Sequence, residues 1–594
     1  MKKITVLLYA VGTLLGGISC NSLDVPPINI IQDQDIFVSE SGITAYMASL
    51  YNDLPIYDHA STINGFNNYW NSWPQAGHMS GELLNNMLFF VYDSPNGDMF
   101  QFWSYDRVRK INYFLENMPL YKDNFSESLV NTWLGEAYFC RAYYYFTMVR
   151  AYGAVPLVTE VKNYPETSIE ELQVPRNTQL EGWNFIADDL DKAIELLPET
   201  SLEKGRVNKY VAYALKSRAM LYAASICQFD TPVSGYEELL GMPASKAQEY
   251  YQAAYDAASK LDGKYSLYNK YTDKFENYWH LFLDEDNPEV IFAKYYQYPY
   301  STHSWDVHNI PFQLRSPEGY SSIANPTLEI IELFDDVNGN PFVLKTTDEN
   351  GEPIRYDNPM DIFKDIEPRL RASVILPNDN FKGETIEIRK GIWTSFPNGE
   401  LKTSSDFTTM YENMTVQGKS GMGNNETTTT GFLLRKYLDP DLSKDLVVHG
   451  RSTVQFIDIR YAEVLLNKAE AAFYLGKKQE ALDLVNQIRD RAGAKKYELN
   501  QLTEDNLRKE RRMELVFEKH SFWDLRRWRI ADKLMNNKKY TALCPYYIYD
   551  EGKYIFTKEE VGTTYTYDVK VNYAKIPDSE IAKNPKLLPN NPGY

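Results

Sequence analysis

Histidine, cysteine and long apolar stretches are scarce in this chain of 594 residues. It contains seven histidines and four cysteines, with no CxxC and no HExxH, so a histidine or cysteine metal site has little support and no cofactor is expected. The cysteines lack regular spacing, which predicts no disulfide framework. The chain also lacks a GxSxG motif, and this absence disfavours a surface hydrolase.

Positive charge is also in short supply. Asp and Glu number 81 against 62 Lys and Arg, a net charge of −19. Binding to a phosphate backbone depends on clustered Lys and Arg, so no nucleic-acid partner is expected. Aromatic residues, by contrast, make up 14% of the chain, with 46 Tyr, 28 Phe and 10 Trp. Such rings fill cores, and they also line ligand surfaces.

The N-terminus has the pattern of a bacterial lipoprotein signal. Two lysines precede an apolar run over residues 4–15, and small residues lead to Cys20. We therefore expect residues 1–19 to be a signal peptide and Cys20 to be lipidated. The lipid would anchor the protein to a membrane. The apolar run is too short to cross a bilayer, which takes about 20 residues, and no later window supplies such a run. A cleaved secretory signal with an incidental cysteine is the alternative.

Helical periodicity dominates two parts of the chain, about residues 30–261 and 449–530. Residues 183–197 place apolar side chains at the 3, 4, 7 spacing of an amphipathic helix that Pro198 ends, and residues 129–152 are apolar around most of the circumference. Short connections predict antiparallel pairs of the tetratricopeptide type. Further helices are predicted over 207–226, 245–261, 454–475, 479–491 and 503–517.

The middle of the chain, about residues 262–448, is expected to be loop-rich and partly β. Strand-like segments over 289–300 and 385–392 alternate with clusters of Asn, Gly, Pro, Ser and Thr. Long loops of this kind commonly serve recognition, so this region is predicted to bind the ligand. Residues 427–430, four threonines, are predicted to form a mobile surface loop. Residues 531–594 are predicted to be a C-terminal tail.

Eight segments spread along the chain form a recognisable set of motifs. They are RAYYYF (141–146), YGAVPL (152–157), GRVNK (205–209), RYAEVLLNKAEA (460–471), NQIRDRAG (486–493), ERRMELVFE (510–518), DLRRW (524–528) and the ending over 576–594. Together these motifs resemble the SusD/RagB family of outer-membrane lipoproteins. They extend over much of the chain, and residues 20–594 are accordingly expected to form a single domain. Two positions depart from the family pattern: Lys519 stands where glycine is usual and Ser521 where arginine is usual.

The resemblance implies a mainly α, SusD-like fold without catalytic activity. It also implies a cell-surface protein that binds glycans and serves a SusC-like TonB-dependent transporter of the outer membrane. A RagB-like protein that captures peptides or glycopeptides is the alternative with the same architecture. The charged side chains of the C-terminal motifs are expected to pair inside the scaffold, because an unpaired buried charge is costly. They are Glu463, Glu470, Arg511, Arg512, Glu514, Glu518, Asp524 and Arg527.

A sugar site needs flat aromatic faces beside polar side chains that hydrogen-bond hydroxyl groups. Two windows, residues 64–73 and 295–306, offer both, and family ligand contacts come from comparable regions. A core role is the alternative for both windows, because their 3, 4, 7 and alternating spacings also describe buried faces of a helix and a strand. The predicted contacts are Trp70, Trp73, Asn67 and Asn71 in the first window, and Tyr296, Tyr298, Trp305 and Asp306 in the second.

Two acidic clusters are candidate calcium sites, one at residues 284–286 and one around Asp336. Asp336, Asn338 and Asn340 alternate as oxygen ligands do, but Pro341 occupies the place where an EF-hand loop needs glycine. Solvated turns are the favoured interpretation, and no metal is expected.

Overall fold

Helices carry most of the regular structure, which confirms the mainly α prediction. The computed structural model describes residues 36–59, 75–87, 100, 102–231, 233–317 and 320–594. Within these ranges the helices are α1 (Glu40–Asn52), α2 (Gln75–His78), α3 (Tyr105–Asn117), α4 (Glu127–Tyr152), α5 (Ile169–Leu172), α6 (Gln179–Leu196), α7 (Lys209–Phe229), α8 (Glu237–Leu240), α9 (Ala247–Ser259), α10 (Lys274–His280), α11 (Trp305–Asn309), α12 (Leu328–Ile331), α13 (Pro368–Ser373), α14 (Tyr461–Tyr474), α15 (Lys478–Ala492), α16 (Glu504–Glu514), α17 (Ser521–Arg527), α18 (Ala531–Met535) and α19 (Asp578–Lys583).

Local capping signals explain where the long helices begin and end. The Thr178 side chain accepts a hydrogen bond from the Glu181 backbone N–H, and the Glu181 carboxylate bonds back to Thr178, a capping box that starts α6. Helix α4 ends at Gly153, whose φ of +72° is open to glycine at little cost. Capping and periodicity agree here, so α4 and α6 lie within a few residues of their predicted bounds.

The long helices stack in one continuous series. α4 packs on α6, α6 on α7, α7 on α9, α9 on α14 and α14 on α15. Residues 475–477 connect α14 to α15, and so short a connection makes the two helices antiparallel neighbours. Because α9 and α14 touch although about 200 residues separate them, residues 260–460 form an insertion between two halves of one helical stack.

The strands are short except for one C-terminal hairpin. They are β1 (Leu83–Asn85), β2 (Val290–Lys294), β3 (Ala324–Pro326), β4 (Val374–Ile375), β5 (Asn380–Phe381), β6 (Glu384–Thr385), β7 (Gly391–Trp393), β8 (Leu401–Thr403), β9 (Met410–Tyr411), β10 (Met414–Thr415), β11 (Leu433–Leu434), β12 (Phe456–Arg460), β13 (Lys538–Ile548) and β14 (Lys553–Tyr565). The hairpin β13–β14 joins a four-stranded sheet in the order β14-β13-β7-β8, where β13 runs parallel to β7. The segment predicted as a tail thus contributes two strands, β13 and β14, to a sheet whose other two strands belong to the insertion.

Two local predictions are wrong. The helix predicted over 454–475 begins only at Tyr461, because β12 pairs antiparallel with β2, with Phe456 opposite Lys294. The threonine run is not a mobile surface loop: Thr427, Thr428 and Thr430 are buried. Their hydroxyl groups are satisfied locally, since Thr428 Oγ1 donates to the Phe432 carbonyl at 2.7 Å.

Charged side chains from distant motifs meet inside the scaffold. Arg460 at the end of β12 contacts Glu289, Glu514 and Glu518, each at 2.7 Å. The pairing expected for the C-terminal motifs is confirmed for Glu463 with Arg218, Glu470 with Arg527, and Asp524 with Arg511 and Arg527, all at 2.6–2.7 Å. Arg512 differs, because no carboxylate lies within 4 Å of it among the described residues. Burial lowers the pKa of Arg512, and the charge of Glu82 offsets this effect more than any other charged group does.

The two departures from the family pattern have structural counterparts. Lys519 has a φ of +70°, a left-handed conformation that glycine adopts without cost. Its buried ammonium donates to the carbonyl oxygens of Tyr57 at 2.6 Å and Asp58 at 2.9 Å. Ser521 donates to Glu82 Oε1 at 2.6 Å, and Asp524 keeps both of its arginine partners.

Candidate functional site

The first predicted window lies outside the described residues. This applies to Trp70, Trp73, Asn67 and Asn71, and it applies equally to the lipidation site Cys20. Their assignment stays a prediction.

Most of the second window is buried in the protein core. Trp305 is 2% exposed, Asp306 1% and Tyr296 6%. Trp305 packs on His59 with ring centroids 4.7 Å apart and donates from Nε1 to the Lys436 carbonyl at 3.3 Å. A ring must present a free face to stack on a sugar, and these side chains present none. We therefore correct their predicted role as direct contacts in favour of the core alternative, because burial leaves a ligand no access.

Tyr298 is the predicted contact of this window that faces solvent. It is 54% exposed, and Tyr300 two residues later is 88% exposed. The Arg451 guanidinium lies 4.1 Å from the Tyr298 ring centroid. A bridge between His303 and Ser452 places the two chain segments side by side and so positions this arginine. Tyr298 stays a predicted contact, now with a cationic neighbour.

A second group of rings lies beside α11. Tyr320 and His449 are 5.1 Å apart between ring centroids, and both lie within 6 Å of the His308 ring on α11. His449 Nδ1 is 3.4 Å from the Ser304 hydroxyl at the start of the same helix. We call Tyr298, Tyr320, His449 and Arg451 the aromatic surface. Tyr298 and Tyr320 lie in the region of about residues 262–448 that the sequence marks as loop-rich, and His449 and Arg451 directly follow it.

A cavity of about 500 Å³ opens near the other end of α11. We call it the Phe312 cavity. Phe312 and Phe407 form its apolar part and stack with centroids 4.1 Å apart and planes 12° from parallel. The Arg315 guanidinium lies 3.9 Å from the Phe312 centroid. The cavity is lined by Phe312, Gln313, Arg315, Ser316, Pro317, Phe407, Thr415, Lys419 and Lys444.

Hydrogen bonds from several loops hold the polar wall of the cavity. The Gln313 backbone N–H donates to Ser420 Oγ at 3.1 Å, and its amide nitrogen donates to Glu384 Oε2 at 3.0 Å. Lys444 Nζ donates to the Gln313 carbonyl at 2.9 Å. Phe407 lies in a turn fixed by the Thr408 N–H, which donates to Asp406 Oδ1 at 2.8 Å. Hydrogen bonds between separate loops therefore shape the cavity.

No pattern in the sequence predicts this cavity. Phe312 and Phe407 are 95 positions apart, and neither belongs to an aromatic cluster in the chain. The segment Gly418-Lys419-Ser420 resembles the end of a phosphate-binding loop, but Asn413 stands where that motif needs its first glycine. In the structure Lys419 lines the cavity, and Ser420 Oγ accepts the backbone N–H of the lining residue Gln313. Only proximity across loops reveals this site.

A second cavity, of about 420 Å³, lies in the helical scaffold. Its lining includes the rings of Trp103 and Tyr105, aliphatic side chains such as Ile169, and polar side chains such as Arg109 and Asn584. It therefore offers rings and hydrogen-bonding groups, as the Phe312 cavity does. We favour the Phe312 cavity as the candidate site because it lies in the loop-rich region that is predicted to bind the ligand.

Three buried carboxylates with shifted pKa values lie away from the described cavities. Burial raises the pKa of Asp306 to about 6 and that of Glu82 to about 7. Burial alone would raise the pKa of Glu463 as well, but the charge and hydrogen bonds of Arg218 outweigh burial and lower it to about 2. None of the three lines a described cavity. They stabilise the scaffold through their partners.

In the two candidate calcium sites, carboxylate oxygens accept hydrogen bonds from protein donors. Asp336 Oδ1 accepts the backbone N–H groups of Asn338 at 2.8 Å and Asn340 at 2.9 Å, the geometry of a tight turn. Asp284 Oδ2 accepts from Tyr268 at 2.5 Å and Lys270 at 2.6 Å. Within the ranges given above, no group of three His, Cys, Asp or Glu side chains is arranged to hold a metal ion.

Comparison with known proteins finds family matches in both halves of the chain. Residues 288–594 match a family model described as the SusD family, and residues 23–221 match one described as starch-binding and associating with the outer membrane. SusD-like protein P2 of Formosa agariphila is 21% identical, with 100% of both chains covered.

Two solved structures extend the comparison to the fold. A SusD-like carbohydrate-binding protein from Bacteroides fragilis is 22% identical with a TM-score of 0.68, covering 93% of this chain and 99% of that one. A laminarin-binding SusD-like protein is 18% identical with a TM-score of 0.59, covering 94% of this chain and 100% of that one. At such identities the likeness is one of fold. In the described part of this chain, no helix is both long enough and apolar enough to cross a bilayer.

Proposed function

This chain belongs to the SusD family, and we propose that it captures glycans at the cell surface and delivers them to a TonB-dependent transporter of the outer membrane. The observation that carries the proposal is the pairing of aromatic rings with fixed polar groups in one loop-rich region, where Tyr298 is exposed and Phe407 is half-buried. Phe407 and Tyr298 provide the ring faces, and Arg451 and the wall of the Phe312 cavity provide hydrogen-bond donors. Sugar rings are bound by this combination, since their C–H faces lie on aromatic rings while their hydroxyl groups bond polar side chains.

The location is part of the same proposal. We propose that Cys20 carries the lipid that anchors the protein on the outer face of the outer membrane. A single acyl chain binds a bilayer only weakly, so the several chains of a bacterial lipoprotein are what would hold it there. Trp70, Trp73, Asn67 and Asn71 stay proposed contacts of the same ligand. We propose no catalytic residue.

Affinity electrophoresis against a panel of polysaccharides and peptides tests the proposal. We expect retardation by at least one polysaccharide and about tenfold weaker binding in Tyr298→Ala or Phe407→Ala, which corresponds to about 1.4 kcal/mol. Tyr164→Ala is a matched control, because Tyr164 is also an exposed tyrosine followed by proline. Binding to peptides alone would refute glycan capture and favour the RagB-like alternative. Release of shortened products from a bound polymer would refute a purely binding role.

The transporter partnership needs a separate experiment. Cross-linking in intact outer membranes, followed by affinity purification and mass spectrometry, should recover a TonB-dependent transporter together with this chain. Recovery of the chain without any such transporter, under conditions in which other membrane complexes are captured, would contradict delivery to it.

A further inference from the structure

The Phe312 cavity carries cationic side chains in a strongly acidic protein. Arg315, Lys419 and Lys444 are among its lining residues, and the lining residues that the structure describes include no Asp or Glu. The whole chain, by contrast, has a net charge of −19. Three cationic side chains around one cavity, in a molecule of the opposite net charge, are a local feature that a ligand can recognise.

The three cations differ in how far protein groups neutralise them. Arg315 pairs with Glu426 at 2.5 Å, and Lys419 pairs with Glu387 at 3.1 Å. Lys444 donates to a neutral acceptor, the Gln313 carbonyl, and has no carboxylate within 4 Å among the described residues. Its positive charge is therefore the least compensated of the three.

The hydrogen-bonding inventory of the wall points in the same direction. Arginine and lysine donate and cannot accept. The Gln313 side chain is already engaged, because its amide nitrogen donates to Glu384 and its oxygen accepts the Glu387 backbone N–H at 3.1 Å. Hydroxyl groups of a neutral sugar both donate and accept, whereas a carboxylate or sulfate only accepts. Ser316 and Thr415 add hydroxyl groups to the lining, and the Thr415 hydroxyl donates to the Gln417 carbonyl at 2.8 Å. The three cationic donors, Arg315, Lys419 and Lys444, thus suit a ligand that brings acceptors and negative charge.

The aromatic pair leaves one ring face for such a ligand. Phe407 stacks on Phe312 at 4.1 Å, and the Arg315 guanidinium lies 3.9 Å from the same Phe312 ring. Since both groups cannot share one face of Phe312 at these distances, they occupy opposite faces. Phe407 is half-buried, and among the described residues no second aromatic ring or cation stacks on its outer face. A sugar ring stacked there would lie beside the cationic wall.

We propose that the ligand of the Phe312 cavity is an acidic glycan, one whose sugar units carry carboxylate or sulfate groups. The proposal rests on the glycan-binding function proposed above and narrows its substrate class. Lys444 would contact the anionic group, with Arg315 held in place by its stacking on Phe312 and its pairing with Glu426.

Calorimetry with three classes of polymer tests this proposal on the full mature chain. Polygalacturonate and alginate supply carboxylates, carrageenan supplies sulfates, and laminarin and soluble starch are neutral. We expect binding to an acidic polymer that weakens about tenfold in Lys444→Gln and weakens as salt is raised, because salt screens exposed charges. Comparison of the carboxylated polymers with the sulfated one identifies which anionic group the protein binds.

Two variants separate this proposal from the broader function. Lys260→Gln removes an exposed lysine from the end of α9 and should leave binding unchanged, while Phe407→Ala should weaken binding to any sugar in the cavity. Binding of neutral polymers that Phe407→Ala weakens and Lys444→Gln does not would overturn the acidic ligand and leave glycan capture standing. Absence of binding to every polysaccharide would overturn both.

Discussion

Replacing Lys519 with methionine should change how the stability of the protein depends on pH. Lys519 is 6% exposed, and its Nζ lies 4.2 Å from the Tyr57 ring centroid and 4.6 Å from that of Phe456. Its hydrogen bonds go to two carbonyl oxygens, and no carboxylate lies within 4 Å of it among the described residues. Burial lowers the pKa of this lysine from 10.5 to about 7.

The sign of the effect follows from which state holds the proton. Between pH 7 and 10.5 the unfolded chain keeps a proton on Lys519 that the folded chain has released. The folded state therefore bears the full cost of the buried charge below pH 7, and it loses that cost as the pH rises toward 10.5. Each pH unit in this window is worth about 1.4 kcal/mol. From pH 6.5 to 9.5 the free energy of unfolding should rise by about 3 kcal/mol relative to Lys519→Met.

Urea unfolding followed by tryptophan fluorescence, at matched pH values for the two proteins, measures this difference. Comparison with the variant cancels the contributions of tyrosines and other lysines that titrate in both proteins. In the control Lys260→Met, at an exposed position, the free energy of unfolding should change with pH in parallel with that of the wild type. If the free energies of unfolding of the wild type and Lys519→Met also change in parallel from pH 6.5 to 9.5, Lys519 does not lose its proton there and the burial account is wrong.

Three further outcomes are expected. Glu514→Gln should lower the free energy of unfolding by about 3–5 kcal/mol, measured by thermal or urea unfolding, because Arg460, Arg369 and other buried guanidinium groups would lose their shared counter-charge; an unchanged midpoint would contradict that role. Gly153→Ala should destabilise by more than Gly235→Ala, since an added Cβ would meet Leu240 Cδ2 at 2.6 Å in the first case and open space in the second; equal thermal shifts would show that packing adds nothing. Cys20→Ala should move the protein from the membrane to the soluble fraction, and mass spectrometry of the wild-type N-terminus should find acyl chains there; an unmodified terminus would remove the anchor from the account.

The helices were predictable because their signals are local. In α6 the period of apolar residues, the Thr178 capping box and Pro198 all lie within the segment that folds. The buried ion pairs were predictable in kind for a related reason: a charge in an apolar helix needs a partner wherever that partner comes from. The identity of each partner, such as Arg218 for Glu463, depends on packing between distant helices.

The strands and the site depend on contacts that no local pattern encodes. Residues 456–460 are extended because β2 lies beside them, about 165 positions earlier in the chain. Trp305 is buried because His59, Tyr437 and Lys519 surround it from three separate segments. An aromatic window in a sequence therefore indicates rings of the right kind, while tertiary packing decides which of them reach solvent.

The most direct test of glycan capture by this loop-rich region is a crystal structure with an oligosaccharide chosen from the binding panel. The account predicts a sugar ring against the outer face of Phe407 or against Tyr298, within hydrogen-bonding distance of Lys444 or Arg451. A sugar bound instead in the scaffold cavity beside Trp103 and Tyr105, with the Phe312 cavity empty, would contradict it.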